Sequence, residues 1–257
     1  MNMTDLDFAD DIALLSDTAT QAQELLNKVE DAALCVGLHM NAKKTQFMAY
    51  NQPSCVTIPT VDGNSLEEVH DFKYLGSWVQ SSEQDIKVRK AMAWKASNKL
   101  NSIWKSNLPR PLKIKLFQAT VESVLLYGCE TWTITKKNRK ALDGCYTRML
   151  RAALNVSWKQ HMTNKELYGD IPHVTSKITT RRLTFAGHCK RAKGSPVSKL
   201  VTWQPTQGKR TRGRPMKTYV DLLQDDTGYQ TKEIETSMQD RRFWRAIISV
   251  RQQESTE

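Results

Sequence analysis

The hydrophobic pattern of the chain changes its period near Ser81-Ser82, and this change limits the folds open to it. Before that point, short apolar runs that suit β-strands alternate with turn signals such as Asp62-Gly63-Asn64. Beyond it, apolar residues recur at the three- and four-residue steps of amphipathic helices. The pattern predicts an α+β chain: a small antiparallel sheet in the first part, then a mostly helical remainder.

One long helix is predicted within the first part, packed against the short strands. Asp17 or Thr18 can cap its start, and Gly37 can end it because glycine tolerates a left-handed backbone. The apolar residues between them recur at helical spacing: Ala22, Leu25, Leu26, Val29, Ala32, Ala33 and Val36.

Charge indicates the class of partner. The chain of 257 residues has a formal net charge of +11, which favours polyanions and makes RNA or DNA the leading partners. No apolar run approaches the roughly 20 residues that span a bilayer, and the acidic start lacks a signal-peptide pattern. We expect an intracellular protein, nuclear or cytoplasmic, that is neither secreted nor embedded in a membrane.

The cysteines argue against a disulfide scaffold. The sequence has 5 of them, scattered and never in a C-x-x-C pair, so reduced and mostly buried thiols are expected. A zinc site including His188 and Cys189 is the alternative, although their spacing to the other candidates fits no common zinc pattern.

The run Phe8-Ala9-Asp10-Asp11 is the first candidate for chemistry. Apolar arms on both sides of the acidic pair, Leu6-Asp7-Phe8 and Ile12 to Leu15, suit a strand-turn-strand hairpin. At a tight turn both carboxylates can approach one site, where they could hold Mg²⁺ together with substrate phosphates. The alternative is an acidic pair that caps the next helix or lies in a solvated turn.

Two further motifs follow this hairpin in order, and together the three indicate a family. They are Gly37-Leu38-His39-Met40-Asn41-Ala42-Lys43-Lys44-Thr45 and Phe72-Lys73-Tyr74-Leu75-Gly76. With Leu6 to Leu15 they resemble the catalytic palm hairpin, the next palm motif and the primer grip of reverse transcriptases of non-LTR (LINE-like) retrotransposons. Leu125 to Trp132, Gly187-His188 and Gly208 to Pro215 resemble the thumb and C-terminal region of that family.

The resemblance implies roles for individual residues. Asp10 would be the principal Mg²⁺ ligand, joined by Asp11, and Lys44 would stabilise the incoming triphosphate or protonate the leaving pyrophosphate. Phe72, Lys73, Tyr74, Leu75 and Gly76 would press the primer end toward the metals. Without the resemblance, Lys44 reads equally well as a solvated turn lysine.

The resemblance also implies an organisation. We expect a partial palm at 1–80, a helical thumb-like region at 81–157, and a basic helical C-terminal region at 158–257 that contains a flexible loop, 193–217. The family's fingers and first palm motif, which supplies another metal-binding Asp, have no counterpart in the sequence. We therefore expect a polymerase fragment that is inactive alone and that could act with a missing upstream half.

A basic segment is the second candidate site. It is rich in glycine and could neutralise several phosphates through Lys209, Arg210, Arg212, Arg214 and Lys217. A solvated charge run or a nuclear-localisation signal is an equal alternative. A second acidic pair, Asp225-Asp226, is interpreted as solvated or capping charge. Two rival functions therefore stay open: a nucleic-acid-binding module, or a decayed transposon product with no selected role.

Overall fold

A computed structural model describes residues 4–50, 58–59, 65–79, 81–204 and 217–254, with side chains up to Arg251. The chain divides into two compact units, Met1–Ser81 and Ser82–Glu257. Most of the basic segment, with Lys209, Arg210, Arg212 and Arg214, lies outside the described residues, as does Cys55.

The first unit contains short strands in three pairs. Strands β1 (Asp5–Phe8) and β2 (Asp11–Leu14) form an antiparallel hairpin, as do β5 (Lys73–Tyr74) and β6 (Ser77–Trp78). Strands β3 (Gln46–Phe47) and β4 (Glu67–Glu68) pair in parallel, a departure from the all-antiparallel expectation. A parallel pair needs a longer connection than a hairpin, and the chain between residues 47 and 67 supplies it.

One helix packs against part of this strand region. Helix α1 (Ala19–Cys35) begins after Thr18, whose hydroxyl accepts a hydrogen bond from the Gln21 amide at 3.2 Å. It ends before Gly37, which has φ of +75°. Its buried Leu26 packs with Ile58 and Leu66 in a small core, which partly buried neighbours complete: Leu14, Ala22, Met40 and Phe47. The predicted capped helix is confirmed at both ends.

The second unit is helical throughout its described residues. Its principal helices are α2 (Ser82–Lys99), α3 (Asn101–Trp104), α4 (Arg110–Phe117), α5 (Ser123–Leu125), α6 (Lys136–Ala153), α7 (Asn164–Tyr168), α8 (Val174–Lys190), α9 (Val197–Leu200), α10 (Tyr219–Thr227), α11 (Thr231–Gln239) and α12 (Arg241–Glu254). The α+β class with a mostly helical remainder is confirmed. None of the described helices is long and apolar enough to cross a bilayer.

Helix α8 joins two hydrophobic cores. Its first half contributes Val174 and Ile178 to a core built mainly from α2, α4 and α6. Its second half contributes Leu183 and Ala186 to a core shared with α10, α11 and α12. Helix α8 therefore contributes buried residues to both cores.

Apolar spacing from Leu112 to Tyr127 predicts one helix, but the structure divides this segment into three pieces. Helix α4 already begins at Arg110, and a π-helical turn, Gln118–Glu122, separates it from α5. Such a turn adds one residue to the helical repeat and changes the direction of the side chains that follow. Gly128, at φ of +69°, ends the segment where the sequence places a stop.

Candidate active site

Asp10 and Asp11 lie at the tip of the β1–β2 hairpin. Phe8 pairs with Asp11 across the strands, so Ala9 and Asp10 form a two-residue turn and Asp11 opens β2. Ala9 has φ of +54°, while Asp10 is not among the residues with positive φ. Positive φ at the first turn position alone fits a type II′ turn, in which glycine is the preferred residue. The predicted strand-turn-strand hairpin is confirmed.

The register decides which acidic side chains share a face. Cross-strand partners point to the same side of a sheet, so Asp11 lies on the face of Phe8. Asp7 pairs with Ile12 and lies on the opposite face. The tip places two acidic residues next to each other, because Asp10 in the turn directly precedes Asp11.

Both tip carboxylates are exposed, and within the part of the chain that the structure describes neither makes a hydrogen bond or an ion pair. Two free carboxylates suit Mg²⁺, which binds one or two protein carboxylates and completes its octahedron with water and substrate phosphate. Across the described residues, no group of three or more His, Cys, Asp or Glu side chains is placed to hold a metal ion. The tip therefore fits as part of a metal site that takes its other ligands from elsewhere.

Lys44 belongs to a compact turn that Asn41 organises. The Lys44 amide donates to the Asn41 carbonyl at 2.9 Å and to its side-chain Oδ1 at 3.2 Å. The Thr45 hydroxyl donates to the same carbonyl at 3.0 Å. These bonds fix the backbone and leave the Lys44 side chain exposed, so its ammonium is available to a phosphate.

Phe72 to Gly76 form one arm and the turn of the second hairpin. Lys73 and Tyr74 lie in β5, and Leu75 and Gly76 form a turn in which both residues have positive φ, +46° and +82°. This is the signature of a type I′ turn, the connection that matches the twist of paired strands. The Val79 amide closes the arm by donating to the Phe72 carbonyl at 3.0 Å.

One hydrogen bond connects the two hairpins. The Tyr74 hydroxyl donates to the Leu6 carbonyl at 3.0 Å, so the arm that carries Tyr74 contacts β1 of the acidic hairpin. The residues lie 68 positions apart, and no local pattern in the sequence indicates this bond. In the described contacts nothing comparable ties Lys44 to either hairpin.

Within the second acidic pair, Asp226 is structural, which corrects its interpretation as solvated or capping charge, whereas Asp225 is exposed as that interpretation expects. Asp226 accepts from the Arg182 guanidinium at 2.5 Å and from the Thr179 hydroxyl at 3.4 Å. Burial raises the pKa of Asp226, while the Arg182 charge opposes that rise. Asp225 forms an ion pair with Lys217, the described member of the basic segment, and both side chains are exposed.

Comparison with known proteins agrees with the site. Residues 3–79 match the family described as reverse transcriptase (RNA-dependent DNA polymerase). Over 266 positions the chain is 26% identical to a transposon-derived protein of Caenorhabditis elegans, and the alignment covers 96% of this chain and 95% of that protein. No solved structure matches the chain. The family match confirms the resemblance of the first three motifs to reverse transcriptases, because it spans both hairpins and Lys44.

Proposed function

We propose that this chain, whose residues 3–79 match the reverse transcriptase family, supplies the acidic hairpin and the primer grip of an RNA-directed DNA polymerase. One observation carries the proposal most directly. The Tyr74 hydroxyl bonds to the Leu6 carbonyl of the acidic hairpin at 3.0 Å, so a primer end held by the Phe72 to Gly76 arm would lie near the carboxylates.

Asp10 and Asp11 would hold Mg²⁺, which activates the attacking primer oxygen and stabilises the leaving pyrophosphate when it is bound. Both carboxylates are exposed and have no competing partner among the described contacts, so neither must give up a bond to accept a cation. The Lys44 ammonium would neutralise charge on the triphosphate and can donate a proton to the pyrophosphate oxygen.

We further propose that this chain does not polymerise DNA alone. Two carboxylates at a turn tip form part of a two-metal site, and the fingers with the first palm Asp would complete it. Those elements would come from an upstream segment that acts with the chain. Its substrates would be an RNA template and a DNA primer, which fits the net charge of +11.

A reconstitution assay tests this proposal. The chain is mixed with a polypeptide containing fingers and a first palm motif, and extension of a DNA primer on an RNA template is measured with Mg²⁺. Asp10→Asn should abolish the restored extension by at least about a hundredfold, since charge at the metal is lost. Asp7→Asn is the matched control, because Asp7 lies on the same hairpin but on the face opposite Asp11.

Extension by the chain alone, abolished by Asp10→Asn, would refute the need for an upstream segment. Equal loss in both variants would refute the assignment of the metal to the tip. Restored extension that survives Asp10→Asn would also refute the assignment of the metal to the hairpin tip.

A nucleic-acid-binding module is the second candidate function. Residues 82–257 form their own compact unit, and the basic segment Lys209, Arg210, Arg212, Arg214 and Lys217 belongs to it. Failed reconstitution with intact, salt-dependent RNA or DNA binding would favour this module. Failure of both would leave a decayed transposon product with no selected role.

The helical unit would contain the thumb-like region, 81–157, and the basic C-terminal region, 158–257. An intracellular location, nuclear or cytoplasmic, follows from work on nucleic acid. The four described cysteines are all free thiols, which supports a reducing compartment.

A further inference from the structure

The basic residues of helix α8 are neutralised one by one by carboxylates. Four of them reach an acidic partner from another element: Lys177 to Glu122 at 2.5 Å, Arg181 to Glu130 at 3.9 Å, Arg182 to Asp226 at 2.5 Å and Lys190 to Glu235 at 2.8 Å. Arg191, the C-cap of the same helix, departs from this pattern. Among the described contacts its guanidinium has no carboxylate partner.

Arg191 instead lies beside the segment of α12 that carries two other arginines. Its Nη1 donates to the Met238 carbonyl at 2.7 Å, which fixes the guanidinium without neutralising it. Partial burial lowers the pKa of Arg191, and the positive charges of Arg241 and Arg245 lower it further. The Arg191 Nη1 lies 3.0 Å from the point where a Cβ on Gly187 would stand, and the Trp244 ring lies 2.5 Å from that point, so the Arg191 guanidinium lies beside the turn of α12 that carries Arg241 and Arg245. Three like charges in this region cost free energy unless an anion joins them.

The scaffold under this cluster is rigid. Arg241 and Arg245 are four residues apart in α12, so they lie on one face of the helix and are both exposed. Between them, buried Trp244 packs onto Gly187 of α8 and donates from its indole nitrogen to the Leu183 carbonyl at 2.8 Å. The crossing of α8 and α12 thus fixes the backbone that carries all three arginines.

One acidic residue lies beside the cluster, and its carboxylate is already engaged. Asp240 accepts from the amides of Arg242 at 2.7 Å and Phe243 at 3.1 Å, which caps the start of α12. These bonds hold the pKa of Asp240 below its usual range. Arg242, also exposed, adds a further positive charge to the same end of the helix.

We propose that Arg191, Arg241 and Arg245 form a phosphate-binding cluster for the backbone of a nucleic acid, separate from the basic segment 209–217. Guanidinium groups present planar, forked donors that match phosphate oxygens, and three of them carried on two packed helices can bind adjacent phosphates. The inference rests on the nucleic-acid partner of the proposed function. It adds a second, rigid contact to that partner.

Binding measurements with defined probes test the cluster. A fluorescent 30-nucleotide RNA, the matching DNA strand and their RNA·DNA duplex are titrated with the full chain at several salt concentrations. Arg241→Gln/Arg245→Gln should weaken duplex binding at least about fivefold and reduce the slope of log K against log salt by about 1 to 2. Its melting temperature should stay unchanged or rise, because repulsion around Arg191 is relieved.

Two control variants separate the cluster from bulk charge. Lys199→Gln/Lys232→Gln removes the same charge from exposed positions on α9 and α11, and it should leave the slope nearly unchanged. Arg241→Lys/Arg245→Lys retains the charge, so its salt slope should stay near that of the wild type while its affinity falls less than in the Gln variant.

Three results would overturn the inference. If Arg241→Gln/Arg245→Gln and Lys199→Gln/Lys232→Gln lose equal affinity for the duplex, the effect comes from net charge and not from the cluster. If the wild type binds nucleic acid and Arg241→Gln/Arg245→Gln leaves the slope of log K against log salt unchanged, the cluster is refuted and the proposed function is not. Wild-type protein that binds phosphatidylserine vesicles but none of the three nucleic acids would refute both the cluster and the proposed nucleic-acid function.

Discussion

Backbone conformation at two residues shapes both hairpins of the candidate site. Ala9 carries a side chain at φ of +54°, where glycine is favoured, and Gly76 occupies φ of +82°, where its lack of a side chain avoids strain. Ala9, next to Asp10, and Leu75, at φ of +46°, therefore carry backbone strain, whereas Gly76 avoids it. The sequence indicates both turns but does not reveal their φ values.

Opposite substitutions at these two turns should have opposite effects. Gly76→Ala should destabilise the first unit by about 1 to 2 kcal/mol, because a Cβ is unfavourable in the left-handed region. Ala9→Gly should be neutral or stabilise it by up to about 1 kcal/mol, since relief of strain exceeds the added freedom of the unfolded chain. Hydrogen exchange of peptides from residues 4–50 and 65–79 measures both changes in stability. If both substitutions stabilise the first unit, or both destabilise it, the assigned turn geometry is contradicted.

At the scale of elements, helix α8 organises the second unit. It shares apolar residues with both cores, and its basic residues reach carboxylates on several other helices. It approaches α12 closely at Gly187, where a Cβ added to the glycine would lie only 2.5 Å from the Trp244 ring. The sequence motif Gly187-His188 thus has a packing explanation in its glycine.

Two helical glycines should respond in opposite directions to the same change. Gly187→Ala should destabilise the second unit by about 1 to 3 kcal/mol, because α8 and α12 must separate. Gly144→Ala, in α6, should stabilise it by up to about 1 kcal/mol, since a Cβ there meets nothing within 4 Å and alanine favours helix. Urea denaturation followed by circular dichroism measures both, and a neutral Gly187→Ala would contradict the close packing.

At the scale of the whole molecule, the described cysteines are distributed over the first unit and the two cores of the second unit. Cys35 is exposed in the first unit, whereas Cys129, Cys145 and Cys189 are buried in the second. Burial raises the pKa of the Cys129 thiol to about 12, with Glu130 adding to the effect. Cys129 and Cys145 belong to one core of the second unit, and Cys189 belongs to the other.

Thiol labelling should therefore reveal how the units unfold. In a Cys55→Ser background, iodoacetamide should modify Cys35 in the native protein and the three buried thiols only after unfolding. All three should become reactive at the same urea concentration, because α8 is shared by both cores. Mass spectrometry of labelled peptides measures this, and earlier reaction of Cys189 would instead indicate a C-terminal region that unfolds independently.

Elements with local signals could be predicted from sequence. Thr18 and Gly37 bound α1 as expected. The sequence pattern Thr163-Asn164-Lys165-Glu166 is typical of a capping box, and the structure forms that box between Thr163 and Glu166. Apolar residues recur at helical spacing from Lys137 to Leu154, and this segment corresponds to α6, which buries most of them. The π-helical turn at 118–122 has no such signal, because the added residue depends on packing around the helix rather than on its own period.

What the sequence alone determined is the acidic hairpin, the capped and amphipathic helices, the excess of positive charge and the resemblance of residues 3–79 to reverse transcriptases. Caps, turns and hydrophobic periods act within a few residues, so they can be read along the chain. Only the tertiary structure decided which distant groups meet: the Tyr74 hydroxyl with the Leu6 carbonyl, and Arg191 with Arg241 and Arg245. Those contacts depend on how helices and hairpins pack, and packing follows from the shapes of many side chains together.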